Sequence, residues 1–210
     1  MKIFSHSDIE AMDYLYRINL INSCSGFKSA NLIATQSEDH KTNVAVFSSV
    51  THLGSNPPLL SFVLRPTTVP RNTYDNIKKT GFYTINHISE TIIEDAHHTS
   101  AKYDNSISEF DVTDLNAIYK NDFFAPFVKN APVQIGMKFL EEHHINANGT
   151  ILIIGQIDKL YVNDSILSPD GFIDLSKAKV ATVNGLDGYA LPKLHKRLTH
   201  QRPKEINQTH

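Results

Sequence analysis

The residues best placed to do chemistry fall between Thr42 and His87, where the chain reads TNVAVFSSVTHLGSNPPLLSFVLRPTTVPRNTYDNIKKTGFYTINH. Ser48 and Ser49 end an apolar run, and paired small hydroxyls at a strand end leave amides and hydroxyls free for the polar edge of a flat heterocycle. Arg65 projects from the end of an apolar strand, where a guanidinium calls for a carboxylate or a phosphate. Arg71 follows six residues later, beside Asn72 and Thr73. Thr73 is the expected N-cap of a helix over Tyr74–Lys79, and a helix start offers unpaired amides and partial positive charge to an anion. This is the chemistry that holds a phosphorylated, planar aromatic ligand. Each residue also has a plainer reading: a turn for the serines, a structural ion pair for Arg65, simple capping for Thr73. His52, Asn86 and His87 lie near strand ends of the same block and either line a pocket or act as structural hydrogen-bonding groups.

Other chemistries are poorly supported. The nine glycines never fall at G-x-G-x-x-G spacing, and there is no G-x-x-x-x-G-K-[ST], G-x-S-x-G or H-E-x-x-H. A nicotinamide cofactor, if one acts here, therefore docks transiently rather than in a domain of its own. Of the eleven histidines, His97-His98 and His143-His144 are adjacent pairs. Neighbours diverge on a helix or a strand, so no metal site is expected. The basic stretch from Lys193 to Lys204 is expected to be a solvated terminus or a subunit contact, not a nucleic-acid arm.

These residues need a scaffold. The chain has 210 residues, 40% hydrophobic and 20% charged, with a net charge of −2, and is read as one domain over 1–210 with no nucleic-acid or membrane partner. The single cysteine, Cys24, cannot form an internal disulfide, and the N-terminus carries acids early without an apolar core, so a cytoplasmic location is expected. Ser7-Asp8-Ile9-Glu10 has a capping-box pattern, and Ile9, Met12, Tyr16 and Leu20 predict a helix over 8–21 with one face on the core. Strands are predicted over 30–35, 43–49, 59–64 (entered through Pro57-Pro58), 82–86, 132–140 and 150–162, the last two joined by a turn at 146–149. Gly81 ends the helix that precedes the fourth strand. A second helical pattern covers 89–100, and 102–126 reads as an irregular excursion. Several strands with short connections and few helices predict a barrel or sandwich with flanking helices.

The chain resembles the flavin reductase-like family, the FMN-binding split barrels that include flavoredoxin. The matching words are SGFKSANLIAT (Ser25–Thr35), TNVAVFSSVTHLGSNPPLLSFVLRP (Thr42–Pro66), RNTYDNIKKTGFYTINH (Arg71–His87) and, more weakly, SAKYDNSISEF (Ser100–Phe110). The resemblance implies a mainly β, Greek-key split β-barrel that forms a homodimer, with FMN near the subunit interface. It implies that the strand carrying Asn43, Ala45, Phe47, Ser48, Ser49 and Val50 contacts the flavin ring through backbone groups and hydroxyls. Arg65, Arg71, Thr73 and Lys102 become candidates for the ribityl and phosphate end, with Asn86 and His87 nearby and Tyr189 near the flavin or the interface. The implied activity is an NAD(P)H-dependent flavin reductase, passing hydride to flavin N5 without a side-chain nucleophile. The alternatives are a flavoredoxin-type electron carrier serving a redox-protein partner, and a non-catalytic module holding FMN or haem.

Overall fold

Strand β2 (Asn31–Gln36) explains why the sequence shows so little alternation: all six of its residues are buried. Ile33 faces one apolar cluster, while Leu32 and Ala34 face another. A strand covered on both sides needs no polar face. The computed structural model describes residues 1–69 and 71–203. Before β2 come α1 (His6–Glu10), α2 (Tyr14–Cys24) and the short β1 (Lys28–Ser29). After it come β3 (Thr42–Phe47), β4 (Thr51–Ser55), β5 (Pro58–Leu64), α3 (Asn72–Thr80), β6 (Phe82–His87) and α4 (Ile93–His98). The short β7 (Ala117–Ile118) and β8 (Phe127–Val128) lead to the long hairpin β9 (Val133–Ile145) and β10 (Thr150–Val162), then β11 (Thr182–Asn184) and β12 (Gly188–Ala190).

Seven strands form one antiparallel sheet in the order β3-β2-β6-β9-β10-β5-β4. The sheet curls so that its two ends meet. Beyond the end of β3, the Ser49 hydroxyl donates to the Val63 carbonyl of β5 (3.1 Å) and accepts from the Val63 amide (3.0 Å). One side chain thus stands in for a strand partner at the seam. Inside the curl lie Ile33, Phe62, Tyr83, Ile85, Ile135, Met137, Ile151 and Ile153, and burying each large apolar side chain contributes about 1.5–3 kcal/mol. At β10 the register shifts at Ile154/Gly155, and a Cβ at Gly155 would overlap the Tyr83 hydroxyl. The outer face of β2 is covered by Ile88, Ala96 and Leu115, which α4 and the excursion after it help to supply.

Two expectations need correction. Residues 8–21 do not form one helix. Ser5 caps α1 in a capping box with Asp8, and Asp13 starts a new helix, its Oδ1 accepting from the amides of Leu15 and Tyr16 (3.0 and 3.2 Å). Neither α1 nor α2 buries a residue, so they pack outside the barrel rather than on its core. The Pro57-Pro58 turn hides an extra strand, β4, mostly exposed at the sheet edge and therefore without an apolar pattern. The described part of the basic tail is exposed throughout, with Arg197 pairing with Asp170 at 2.6 Å on the surface and lying over Phe172, while Lys204 lies outside the described residues.

Candidate functional site

Helix α3 begins with Arg71 as its N-cap, in an extended conformation and with no side-chain cap. The first turn closes when the Asp75 amide donates to the Arg71 carbonyl at 2.9 Å. The amides of Asn72, Thr73 and Tyr74 are left without partners among the described residues. Thr73 is therefore not the cap that the sequence predicts. The helix starts earlier, and this places Thr73 inside it, buried against β3, where its Oγ1 accepts from Asn43 Nδ2 at 3.0 Å. The Arg71 guanidinium donates to the Pro66 carbonyl through Nε and Nη2, both at 3.4 Å. Arg65, next to Pro66 in the chain, is exposed and makes no hydrogen bond or ion pair among the described residues.

Lys102 is brought to the same end by a loop pinned at both sides. The Thr99 hydroxyl accepts from the Val46 amide of β3 at 2.9 Å, and Asn72 Nδ2 donates to the Asn105 carbonyl at 3.3 Å. Lys102 lies between these two anchors, exposed and without a carboxylate partner among the described residues. Arg71 thus sits at an uncapped helix start, Arg65 precedes the Pro66 whose carbonyl Arg71 contacts, and Lys102 lies three positions before the Asn105 that Asn72 contacts.

Strand β3 is the open edge of the sheet, yet two of its outward amides are taken: Val44 N donates to Glu109 Oε2 at 3.1 Å and Val46 N to the Thr99 hydroxyl. Burial pushes the Glu109 carboxyl above its usual pKa, opposed by this amide. Phe47 points into the barrel, edge-on to Phe62 at 5.1 Å, and Ala45, two residues before it, shares that face. The Ser49 hydroxyl is spent at the seam, and the Val50 carbonyl accepts from Ser29 at 3.0 Å. Ser48 makes no hydrogen bond among the described residues, so it is the free polar residue at this strand end.

Asn86 is not a free pocket group. It is fully buried, donates to the Leu32 carbonyl and the Thr84 hydroxyl, and accepts from the Val128 amide. Its side chain adds bonds to backbone groups beside the β2–β6 ladder, in which it pairs with Leu32. His87 is largely buried, and desolvation holds its pKa down at about 4, so it is neutral at pH 7. It pairs across the sheet with Asn31, which in turn pairs with Phe47. Asn31 is fully buried with neither amide atom hydrogen-bonded. The sequence reasoning passed over Asn31, although a polar residue heading the apolar run NLIAT is a visible signal. It also passed over Thr99 and Glu109, whose roles depend on a fold contact that no local pattern encodes. Tyr189, half-buried, places its hydroxyl 3.3 Å from His97 Nδ1. His52 lies on exposed β4, bonded to the Ser55 hydroxyl at 3.2 Å.

The donor set at the α3 start fits a phosphomonoester: unpaired amides, three cations, and no carboxylate bonded to any of them among the described residues. A phosphorylated flavin has such a group at the end of its ribityl chain. Among the described residues no group of three or more His, Cys, Asp or Glu side chains is arranged to hold a metal ion, and no helix is long and apolar enough to cross a membrane.

The match to known proteins runs along most of the chain. A 1.74 Å crystal structure of a candidate flavin reductase with a split barrel domain from Shewanella frigidimarina superposes with a TM-score of 0.93 at 45% identity, covering 96% of this chain and all of that one. Nitrilotriacetate monooxygenase component B from Bacillus cereus shares the fold, with a TM-score of 0.82, 17% identity, and 94% and 98% coverage of the two chains. Among curated relatives, the uncharacterised protein YwrF of Bacillus subtilis is 29% identical over 81% of this chain and 85% of its own. Residues 25–176 match the family model described as a flavin reductase like domain, and on that match this split barrel is a member of the flavin reductase-like family.

Proposed function

We propose that the chain binds FMN and acts as an NAD(P)H-dependent flavin reductase. The observation that carries this reading is the start of α3, which is left without a side-chain cap and has Arg71 in the cap position, with exposed Arg65 and Lys102 as further cations to meet a phosphate there. A helix start buried by a side-chain cap would be sealed against an anion, and this one is open. When bound, FMN supplies the redox chemistry, taking a hydride at N5 from C4 of a reduced nicotinamide, which leaves as NAD(P)+.

The protein's part is to bind and orient. The α3 amides and the three cations hold the phosphate, and Ser48 offers hydrogen bonds to the polar edge of the ring at the end of β3. Glu109 and Thr99 keep the rest of that edge closed, so the strand presents its polar groups at one place rather than along its length. No nucleophile or acid–base pair is required for the hydride step, in keeping with the absence of such an arrangement in the sequence motifs. Preorganised charge and proximity provide the rate.

The same reading makes the protein a homodimer. Exposed Tyr14, Leu15 and Tyr16 on α2, with Phe27 just after it, form apolar surface that α2 does not bury within its own chain. Its compartment is the cytoplasm, where the exposed thiol of Cys24 stays reduced. The test is the absorption spectrum of freshly purified protein, then anaerobic addition of NADH and NADPH. A bound flavin spectrum that bleaches with either nicotinamide is expected. Bound flavin that bleaches only with a reduced redox protein would make this an electron carrier, and failure to bind FMN in excess would end the proposal.

A further inference from the structure

A polar cleft of about 310 Å3 runs beside the start of α3, at the end of β3 opposite Ser48. It lies between the β2–β3 hairpin, one face of α3 and the loop after Lys102. Its size is at the lower end of small-molecule sites, about 300–1,000 Å3, but its chemistry differs from their usual apolar lining. Asn43 and Asn76 line it and are only 5% and 7% exposed. Each spends its Nδ2 inside the protein, Asn43 on Thr73 and Asn76 on Thr35, both at 3.0 Å. Neither Oδ1 has a protein partner among the described residues, nor is either sealed from solvent, so the cleft is supplied with buried, unspent acceptors. Asp111 adds an exposed carboxylate with no hydrogen-bonded or ionic partner among the described residues. Asn72 belongs both to the cleft and to the uncapped first turn of α3. His40 and Ile107 are its planar and apolar members.

We infer that this cleft takes the ribose 5′-phosphate part of a nucleotide. Acceptors matched to vicinal hydroxyls share the cleft with Lys41, a cation for a phosphate other than the one held at the α3 amides, and a carboxylate is the group that recognises a free ribose 2′-hydroxyl. His40 and Ile107 give a base something flat or apolar to lie against. Under the flavin reductase reading, which this inference deepens, two sources carry that chemistry: the adenosine of FAD, joined through its phosphates to the flavin, or the adenosine of NADH.

The experiment is calorimetric titration of the full chain with AMP, ribose 5-phosphate and inorganic phosphate, repeated on Asp111→Ala. AMP and ribose 5-phosphate are expected to bind at millimolar concentration or below, and Asp111→Ala to weaken both by about tenfold, as for loss of a charge-assisted hydrogen bond. Inorganic phosphate should bind both proteins alike, which also shows that the variant is folded. FAD as the source predicts tighter binding of FAD than of FMN, with the difference lost in Asp111→Ala. NADH as the source predicts equal FMN and FAD affinity, competition between AMP and NADH, and a raised KM for NADH at unchanged kcat. No binding of AMP, or AMP binding indifferent to Asp111→Ala, overturns the inference. Failure of FMN to bind while AMP still does would instead overturn the flavin reading and leave the cleft assignment standing.

Discussion

The two ends of α3 are finished in opposite ways. At its C-terminus Gly81 adopts the left-handed conformation (φ 78°), its amide donates back to the Ile77 carbonyl at 2.9 Å, and Lys78 and Lys79 complement the dipole. At its N-terminus no side chain caps the first turn, and the residue in the cap position is an arginine. At α1 and α2 the usual device is present, as at Asp13, which accepts from two amides at the start of α2, while the short α4 also starts without a side-chain cap. A cap of that kind is worth about 1 kcal/mol, so α3 forgoes stability at one end that it secures at the other. The open end carries Arg71 in the cap position, and the closed end leads directly into β6. The contrast suggests where the protein needs stability and where it needs an anion.

The largest expected effect comes from the open end. Arg65→Ala and Arg71→Ala should each weaken FMN binding by roughly 1.5–3 kcal/mol, the worth of a charge-assisted hydrogen bond, with little change in folding. Flavin fluorescence titration alongside denaturant unfolding checks this, and unchanged affinity in both variants would remove them from the site. His87, at the end of β6, should give an effect of similar size on stability alone. It titrates near 6.5 when unfolded and at about 4 when folded, so the unfolded state binds more protons between these values. Stability should therefore fall as pH drops from 6.5 to 4, by up to about 3 kcal/mol. In His87→Gln that part of the fall should vanish, as read from urea midpoints across the range.

Gly81→Ala tests the closed end. A side chain in the left-handed region costs about 1–2 kcal/mol. Open space surrounds the position where the Cβ would sit, so the cost is conformational and FMN affinity should hold. The smallest effect is also the most discriminating. Arg71→Asp supplies the missing cap and should stabilise the fold by about 1 kcal/mol. The same change puts a carboxylate where an anion is meant to dock, so FMN affinity should drop. Stability and affinity moving in the same direction would show that the two ends of α3 do not divide the work as described.

Much of this was legible from residue order. Gly81 as the helix stop, the turn before Thr150 and the span 150–162 follow from local rules: positive φ at glycine, turn composition, and a long apolar run. The flavin reductase-like words from Ser25 to Phe110 carried the family. Where reading failed, the cause was a contact made across the chain. Thr73 has the chemistry of a cap, but β3 offers it a buried partner in Asn43, and the helix starts earlier. Ser49 reads as a free hydroxyl until the curled sheet brings Val63 to it. β4 is too exposed to announce itself, since edge strands have no hidden face to pattern.

What the sequence by itself determined is the set of parts: which runs become strands, where α3 stops, and which cations and hydroxyls are at hand. These follow from backbone preference and hydrophobic burial, which act between residues close in the chain. Only the tertiary structure decided which of those groups remain unspent. Ser49, Thr73 and Asn86 are consumed by partners 14, 30 and up to 54 positions away, while Ser48, Arg65 and Lys102 are left open among the described residues. A polar group is available to a ligand only when no distant part of the same chain has already satisfied it, and that depends on closure of the barrel.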